Sequence, residues 1–262
     1  MTDATALDAA HATMQAAPLD DAARLRFFER LADSELFLML TEEAQDENIS
    51  PELFDVADGR FVLAFDLEDR LARFAGRPVP YVALSGRVLA SMLSGQGIGL
   101  GLNLDVAPSS MLIPAEALGW LSSTLQNGPE EVQQHLSEFL PPAGLPDRLL
   151  QALDTKLATA AGLAAAAFLV GTKSDNGGQG HLLGFVAAVE GAQPALARAV
   201  SEALTFSGIE AGALDVGFFA PEDPATAALS RVGLRFDLPQ PQAPKMEKAA
   251  PGSDPERPPI LK

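Results

Sequence analysis

The chain has 262 residues, 47% of them hydrophobic and 20% charged, so it is long enough to bury a core and, at about 150 residues per domain, to form two domains. Its net charge of −17 argues against nucleic acid and anionic membrane as partners, because both bind concentrated basic faces. The absence of cysteine excludes disulfides, thiolate metal sites and cysteine nucleophiles.

Both folded parts of the chain carry the negative charge. Residues 1–126 hold 8 basic and 19 acidic residues, residues 127–238 hold 6 and 13, and residues 239–262 hold 4 and 3. Such acidity is typical of a solvated surface, and it leaves a basic protein as the compatible class of partner. The sequence shows no secretory signal, and no apolar run approaches the length of roughly 20 residues that a membrane span needs. We therefore expect a cytoplasmic protein.

Two helices are predicted in residues 1–33, and Pro18 separates them. The second helix carries an apolar stripe at helical spacing, formed by Leu25, Phe28 and Leu31. We expect this stripe to pack into a core; docking of a partner helix is the alternative.

An acidic loop, residues 41–50, follows a strand predicted over residues 35–40. A calcium loop needs oxygen ligands at alternating positions, a glycine for the sharp turn and a final glutamate. This loop contains no glycine, so we expect no metal there and regard the loop instead as a candidate contact region for a partner. Its carboxylate side chains belong to Glu42, Glu43, Asp46 and Glu47.

A β-hairpin is predicted around Asp58-Gly59, because this pair readily takes the positive φ angles of a tight turn. Its strands cover residues 53–56 and 60–65. A helix, a strand and a second helix follow the hairpin.

The first of these helices begins near Leu67 and ends at Gly76, and the strand runs through Tyr81. Ser85 comes directly after the strand, and we interpret it as the N-cap of the second helix. Ser85 is not interpreted as a hydrolase nucleophile, because no GxSxG motif surrounds it.

Glycines at positions 95, 97, 99 and 101 make the next segment glycine-rich. A phosphate-binding loop follows a strand and opens a helix, so that the helix N-terminus faces the phosphate. Here the glycines leave a predicted helix and enter a strand predicted over residues 99–103. We therefore interpret them as a helix stop followed by a strand with close backbone approach, and not as a nucleotide site.

A helix beginning near Pro114 closes the first domain, since proline suits the first helical turn. This helix carries Trp120, the one tryptophan of the chain. A single large aromatic residue on a terminal helix is usually a core anchor, and we expect that role here rather than a place in a ligand pocket.

The elements of residues 35–121 follow an order that is more specific than any one of them. The segments that carry this order are Leu36 to Leu40, Asp58 to Arg60, Leu63 to Phe65, Leu67 to Arg70, Pro80 to Val82 with Leu84 and Gly86, Gly99 to Asn103, Leu112 to Pro114, and Trp120 with Leu121. In these segments and their order, residues 35–121 resemble the N-terminal domain of the SseB family, a bacterial group named for a serine-sensitivity phenotype and also labelled as type III secretion related. The loop at residues 103–110 departs from the short turn typical of the family. The resemblance implies a fold and supplies no catalytic residues.

After a linker at residues 126–145, with a short helix predicted over residues 130–140, the second domain is predicted to cover residues 146–238. It resembles the SseB C-terminal domain in the order of its elements, with weaker residue matches. Its predicted elements are a helix at 146–161, strands at 163–171 and 181–189 joined by a hairpin connection at 174–180, a helix at 194–206, a strand at 215–219, a helix at 224–232 and a strand at 234–238.

The predicted fold class is α+β, with two domains that each pack helices on a mainly antiparallel or mixed sheet. In this division residues 1–33 are N-terminal helices and residues 34–125 form the first domain. Residues 239–262 are rich in proline and poor in apolar residues, so we predict a disordered tail, with a docking peptide as the alternative.

No catalytic, cofactor-binding or metal-binding set emerges from the sequence. The three histidines, His11, His135 and His181, lack the spacing of a zinc site. His181 with Asp175 could form an acid/base pair, but a strand end beside a polar loop is the favoured interpretation.

The leading functional hypothesis is a non-catalytic protein with a protein-interaction or regulatory role, whose partner contacts the acidic loop or the tail. Homo-oligomerisation is also compatible with the sequence. The alternative is a small-molecule binding module, for an amino acid or a nucleotide, in a cleft between residues 95–103 and 175–180. A hydrolase or transferase that uses His181 is a third hypothesis.

Overall fold

The computed structural model describes residues 4–44, 48–56, 59–126, 136–174, 179–209 and 214–240. Within these residues the chain folds as helices packed on two mixed sheets, so the predicted α+β class is confirmed. The first sheet and its helices comprise α1 Ala6–Ala16, α2 Asp21–Asp33, β1 Glu35–Met39, β2 Leu53–Val56, β3 Gly59–Phe65, α3 Glu68–Ala75, β4 Tyr81–Ser85, α4 Gly86–Leu93, β5 Ile98–Leu102, β6 Met111–Ile113 and α5 Ala115–Gln126. The second sheet and its helices comprise β7 Leu136–Leu140, α6 Asp147–Ala158, β8 Ala166–Ser174, β9 Gln179–Val186, α7 Gln193–Phe206, β10 Asp215–Phe219, α8 Pro224–Val232 and β11 Leu234–Asp237.

The first sheet has the strand order β4-β1-β3-β5-β6, with β2 also paired to β3. All neighbours are antiparallel except β3 and β5, which are parallel. Successive side chains of β3 point to opposite faces, as the pleat requires. Val62 and Ala64 enter the larger core beneath α1, α2, α4 and α5, whereas Leu63 and Phe65 enter a smaller core with Leu71 of α3.

The apolar stripe of α2 packs into that larger core, as predicted. Phe28 and Leu31 are buried in it and Leu25 packs against its edge, while Leu7 of α1 is also fully buried there. The two N-terminal helices are therefore part of the first sheet's core and do not form the separate segment, residues 1–33, that the sequence predicts.

Local signals in the first sheet are confirmed where the structure describes them. β2 and β3 pair antiparallel, and the predicted turn residue Asp58 lies outside the described residues. Gly76 ends α3 in the left-handed region at φ +63°. Ser85 caps α4, and its Oγ accepts a hydrogen bond from the backbone N–H of Val88 at 3.4 Å.

The second sheet has the order β10-β9-β8-β11, with β7 also paired to β8, and β9 and β10 are parallel. Helices α6 and α7 cover one face of this sheet, where Leu153, Val200 and Phe185 share a core. The other face packs against α8 through Leu229.

The prediction of a helix over residues 130–140 is wrong for residues 136–140, which form the strand β7; residues 130–135 lie outside the described residues. Tertiary pairing explains why residues 136–140 form a strand. β11 pairs with residues 166–169 of β8, and β7 pairs with residues 171–174 beyond them. Pairing with β7 satisfies backbone groups of β8 that β11 does not reach, and this outweighs the local helical preference of the linker.

Gly86, at the start of α4, lies directly against the backbone at the end of α2. Its N–H donates to the carbonyl of Ser34 at 2.9 Å, and a Cβ on Gly86 would overlap the carbonyl oxygen of Leu31. Glycine is needed here for space, since its φ is not in the left-handed region.

Replacing Gly86 with alanine should lower the free energy of unfolding by about 2–3 kcal/mol, because α4 must move away from the α2 backbone. Urea denaturation checks this. Gly119→Ala is the matched control: Gly119 lies inside α5 with open space around its Cβ position, so that change should stabilise the protein by about 0.5–1 kcal/mol. Equal effects of the two substitutions would contradict the assigned contact.

Candidate functional site

We call the first sheet with its helices the first domain, and the second sheet with its helices the second domain. The largest fully buried side chain of the first domain belongs to Arg70, in the first turns of α3, at 2% exposure. Its two terminal nitrogens contact the carboxylate of Asp8 at 2.5 and 3.1 Å, and one of them also contacts Asp66 at 2.7 Å. This Arg70 cluster is completed by hydroxyl and amide groups from three further residues, Thr5, Asn103 and Ser109.

Each member of the Arg70 cluster is fixed by the end of a secondary-structure element. Asp8 lies in the first turn of α1 and forms a capping box with Thr5. Asn103 follows β5 at φ +49°; its amide group donates to Ser109 at 2.8 Å, and its side-chain oxygen accepts from the backbone N–H of Asp66 at 3.1 Å. The cluster thus ties α1 and the loop after β5 to the start of α3.

Burial alone would raise the pKa of Asp8. Hydrogen bonds from Arg70, Ser109 and the backbone of Thr5 outweigh burial and hold the pKa of that carboxyl well below its usual range. Asp8 therefore stays ionised and paired at neutral pH, which suits a structural role better than a proton-transfer role.

A second buried ion cluster lies where the two domains meet, and we call it the interdomain cluster. Lys156 of α6 contacts Asp33 at 2.6 Å and Glu202 of α7 at 2.9 Å. Arg87 of α4 contacts the same two carboxylates, at 2.8 Å and 2.9 Å. Glu29 of α2 lies 3.7 Å from the Lys156 Nζ.

The interdomain cluster joins α2 and α4 of the first domain to α6 and α7 of the second. Burial opposes the charge on Glu202, but hydrogen bonds from Arg87 and the charge of Lys156 prevail and lower its pKa. The hydrogen bond to Glu202 is also the main reason that the pKa of Arg87 is raised. These charges stabilise each other only while the domains stay in contact.

An aromatic contact completes the domain junction. The Trp120 ring meets Phe28 of α2 edge-on at 5.3 Å and Phe206 of α7 at 6.4 Å between ring centroids. Phe206 is 2% exposed and belongs to the core of the first domain. Trp120 is 40% exposed, so the expectation that it anchors the core is wrong: it packs at the edge of the junction, because Phe206 fills the interior.

The other residues singled out in the sequence do not converge on a reactive site. His11 is buried beside Gln15 and edge-on to Phe27, and His181 Nε2 donates to the carbonyl of Ala143 at 2.9 Å. His135 and Asp175 lie outside the described residues. Glu42 accepts a hydrogen bond from Ser50 at 3.1 Å. Among the described residues no group of three or more histidines and carboxylates is placed to hold a metal ion.

The glycine-rich segment forms the strand that the sequence predicts. Gly99 and Gly101 lie in β5, where a Cβ would collide with the side chains of Phe61 and Leu63. The close approach allows β3 and β5 to pair beneath these side chains.

A cavity of about 440 Å³ lies within the second domain, lined in part by Thr172, Gln179 and His181. Its other lining residues come from positions 140–146, 180 and 209, so none of residues 95–103 contributes to it. The described residues thus give no observation that favours the small-molecule cleft between the domains.

The interdomain cluster was not predicted from the sequence, although two charged residues on apolar helix faces indicate it. Lys156 occupies the apolar face of α6 together with Leu149 and Leu153, and Glu202 lies on the apolar face of α7. A charged residue inside an apolar stripe indicates a buried partner of opposite charge. Which partner it meets is set by the packing of distant helices.

Residues 6–120 match the family described as SseB protein N-terminal domain. The match includes α1 and α2, in keeping with their place in the core of the first sheet, and it ends within α5. No curated protein and no solved structure showed a significant match to the chain. Among the described helices, none combines the length and the hydropathy of a membrane span.

Replacing Asp8 with asparagine should lower the free energy of unfolding at pH 7 by about 3 kcal/mol, because a charge is removed from a buried pair. The folded pKa lies below the unfolded value of 3.8, so Asp8 stabilises the protein fully above that pH. The difference between the variant and the wild type should therefore shrink as the pH falls below 3.8, as followed by urea denaturation from pH 2 to pH 7. Asp21→Asn, at an exposed ion pair, is the control and should change the free energy of unfolding at pH 7 by less than about 1 kcal/mol.

Replacing Phe206 with alanine should lower the free energy of unfolding by about 3–4 kcal/mol, because this side chain is buried in the core of the first domain. Since Phe206 belongs to α7 of the second domain, its loss should also uncouple the unfolding of the two domains. Differential scanning calorimetry should then show two transitions in place of one. Phe218→Ala is the matched control, since Phe218 stacks on Phe185 inside the second domain. Uncoupling by the control alone would contradict the role assigned to Phe206.

Proposed function

We propose that this chain, whose residues 6–120 match the SseB N-terminal domain, is a non-catalytic protein of the bacterial cytoplasm with a protein-interaction or regulatory role. We further propose that residues 146–238 correspond to the SseB C-terminal domain, a proposal supported by the order of their elements. The observation that carries the interaction role is an exposed strand edge beside the acidic loop.

That edge is β2, and with Glu42 and Glu43 it forms what we call the β2 surface. β2 pairs with β3 on one side, and no other described strand pairs with it. Leu53 is 47% exposed and Val56 is 44% exposed, on opposite faces of the strand. A strand edge that pairs with no other described strand and carries exposed apolar side chains favours the addition of an extended segment from a partner.

The charge of the β2 surface selects the partner. Asp55 in β2 and the side chains of Glu42 and Glu43 are exposed, and Arg60 is the basic residue opposite Asp55. The backbone N–H of Thr41 donates to the carbonyl of Ser50 at 2.9 Å, which holds this end of the acidic loop near the strand. The fitting partner is an extended protein segment with alternating basic and apolar residues.

The same charge disfavours other occupants. Nucleic acid and anionic membrane would be repelled by the acidic surface, as they would by the net charge of −17. A second copy of this chain paired through β2 would place acidic residues against acidic residues. Homo-oligomerisation through this edge is therefore an outcome that the experiment must separate from peptide binding.

The proposal is tested by titrating the isotope-labelled protein with a ten-residue peptide of alternating lysine and valine and recording amide NMR shifts. The shifts should map to residues 53–56, and replacing Leu53 and Val56 together with lysine should weaken binding by about tenfold or more, since apolar contact is lost and like charges are introduced. Light scattering across protein concentrations reports any self-association.

Two controls make the result decisive. Leu234→Lys changes a residue of similar exposure, 43%, on the edge strand β11 of the second sheet, and it should leave binding unchanged. A peptide of alternating glutamate and valine should not bind. The proposal fails if the acidic peptide binds equally well, if the shifts map away from β2, or if neither peptide binds.

A further inference from the structure

Glu29 is the one member of the interdomain cluster that makes no close ion pair. Its side chain is 3% exposed, and its Oε1 has no hydrogen-bond partner among the described residues. The nearest cation is the Lys156 Nζ at 3.7 Å, beyond hydrogen-bonding distance. A buried carboxylate oxygen without a donor is costly when it carries charge.

Charged groups from three helices act on Glu29. Its own helix contributes Arg30 and Asp33, α6 contributes Lys156, and α7 contributes Glu202. Arg87 of α4 pairs with two of these carboxylates, Asp33 and Glu202. Helix α1 also packs on α2, through Leu7 and Ala10 in the shared core and through its one titratable ring there, His11, which approaches Phe27 edge-on.

Counting the close pairs shows an excess of negative charge. Arg87 and Lys156 are both within 3 Å of Asp33 and Glu202, so two cations already balance two carboxylates. An ionised Glu29 would place a third negative charge on a side chain that is 3% exposed, where the charges of Lys156 and Arg30 oppose the cost of burial only in part. A protonated Glu29 leaves the close ion pairs of the cluster balanced.

We propose that Glu29 holds a proton while α2 packs against α6 and α7, and that release of this proton loosens the contact between the two domains. The domain junction is then a proton-linked contact. Burial, only partly opposed by the charge of Lys156, raises the pKa of Glu29, in agreement with this assignment.

The direction of the pH effect follows from linkage. Because the folded pKa of Glu29 lies above its unfolded value of 4.5, the folded protein binds the extra proton between the two values. The stabilisation from this proton is fully present below pH 4.5 and is lost as the pH rises through the folded pKa. Glu202, whose pKa is lowered, acts in the opposite direction and loses its stabilising effect only in acid.

Trp120 provides the readout, because it is the one tryptophan of the chain and packs against Phe206 across the domain contact. The wild-type protein is compared with Glu29→Gln, which keeps the shape of the side chain and cannot ionise. Glu222→Gln, a change at an exposed position, is the matched control. Unfolding free energy and Trp120 emission are recorded from pH 5 to pH 9.

Between pH 4.5 and the folded pKa of Glu29, the unfolding constant of the wild type should rise relative to that of Glu29→Gln by about tenfold per pH unit, the slope for one proton, and it should level off above the folded pKa. Trp120 emission should shift around the folded pKa in the wild type and in Glu222→Gln, but not in Glu29→Gln. A constant stability difference between wild type and Glu29→Gln across this range overturns the proposal.

If Glu29→Gln does not fold, a second measurement tests whether Glu29 holds a proton in the folded protein. The side-chain carboxyl carbon of Glu29 is assigned in the wild-type protein and titrated by carbon-13 NMR. A midpoint above 4.5, with amide shifts in α6 and α7 at the same pH, supports the proton-linked contact. A midpoint at or below 4.5, or amide shifts confined to α2, overturns it.

Discussion

Burial of charge at the contact of α2, α4, α6 and α7 is the constraint on which the two-domain arrangement depends. Lys156 is 5% exposed and Glu202 is 6% exposed, so each needs a partner of opposite charge that water cannot replace. Lys156 pairs with Asp33, and Glu202 pairs with Arg87, in both cases across the domain boundary. Ion pairs of this kind are weak evidence for stability, but they restrict orientation, because few packings satisfy all the charges.

The N-terminal helices connect this junction to the rest of the first domain. α1 supplies Asp8 to the Arg70 cluster, and α2 supplies Glu29 and Asp33 to the interdomain cluster. The two helices pack on each other and share the core of the first sheet. A disturbance in either buried cluster therefore acts on the same pair of helices, so the junction and the first domain are mechanically joined.

Much of the local structure could be read from the sequence, because its causes are local. Gly76 ends α3 through a left-handed backbone and Ser85 caps α4 through its hydroxyl, so both boundaries depend on a single residue type. β7 could not be read this way, since its strand state depends on pairing with residues 171–174 of β8. Arg70 and Lys156 likewise have partners far away in the sequence, and only the packed structure shows which carboxylates they meet.

The position of Phe206 bears on how the chain folds during synthesis. The helices and strands of the first domain are all complete at residue 126, yet the core of that domain includes a ring from the end of α7. At roughly 10 residues per second a ribosome needs several more seconds to deliver that ring. Until then the Phe206 ring is missing from its place beside Phe28 and Trp120. The nascent first domain therefore exposes an apolar surface to the chaperones around the ribosome exit.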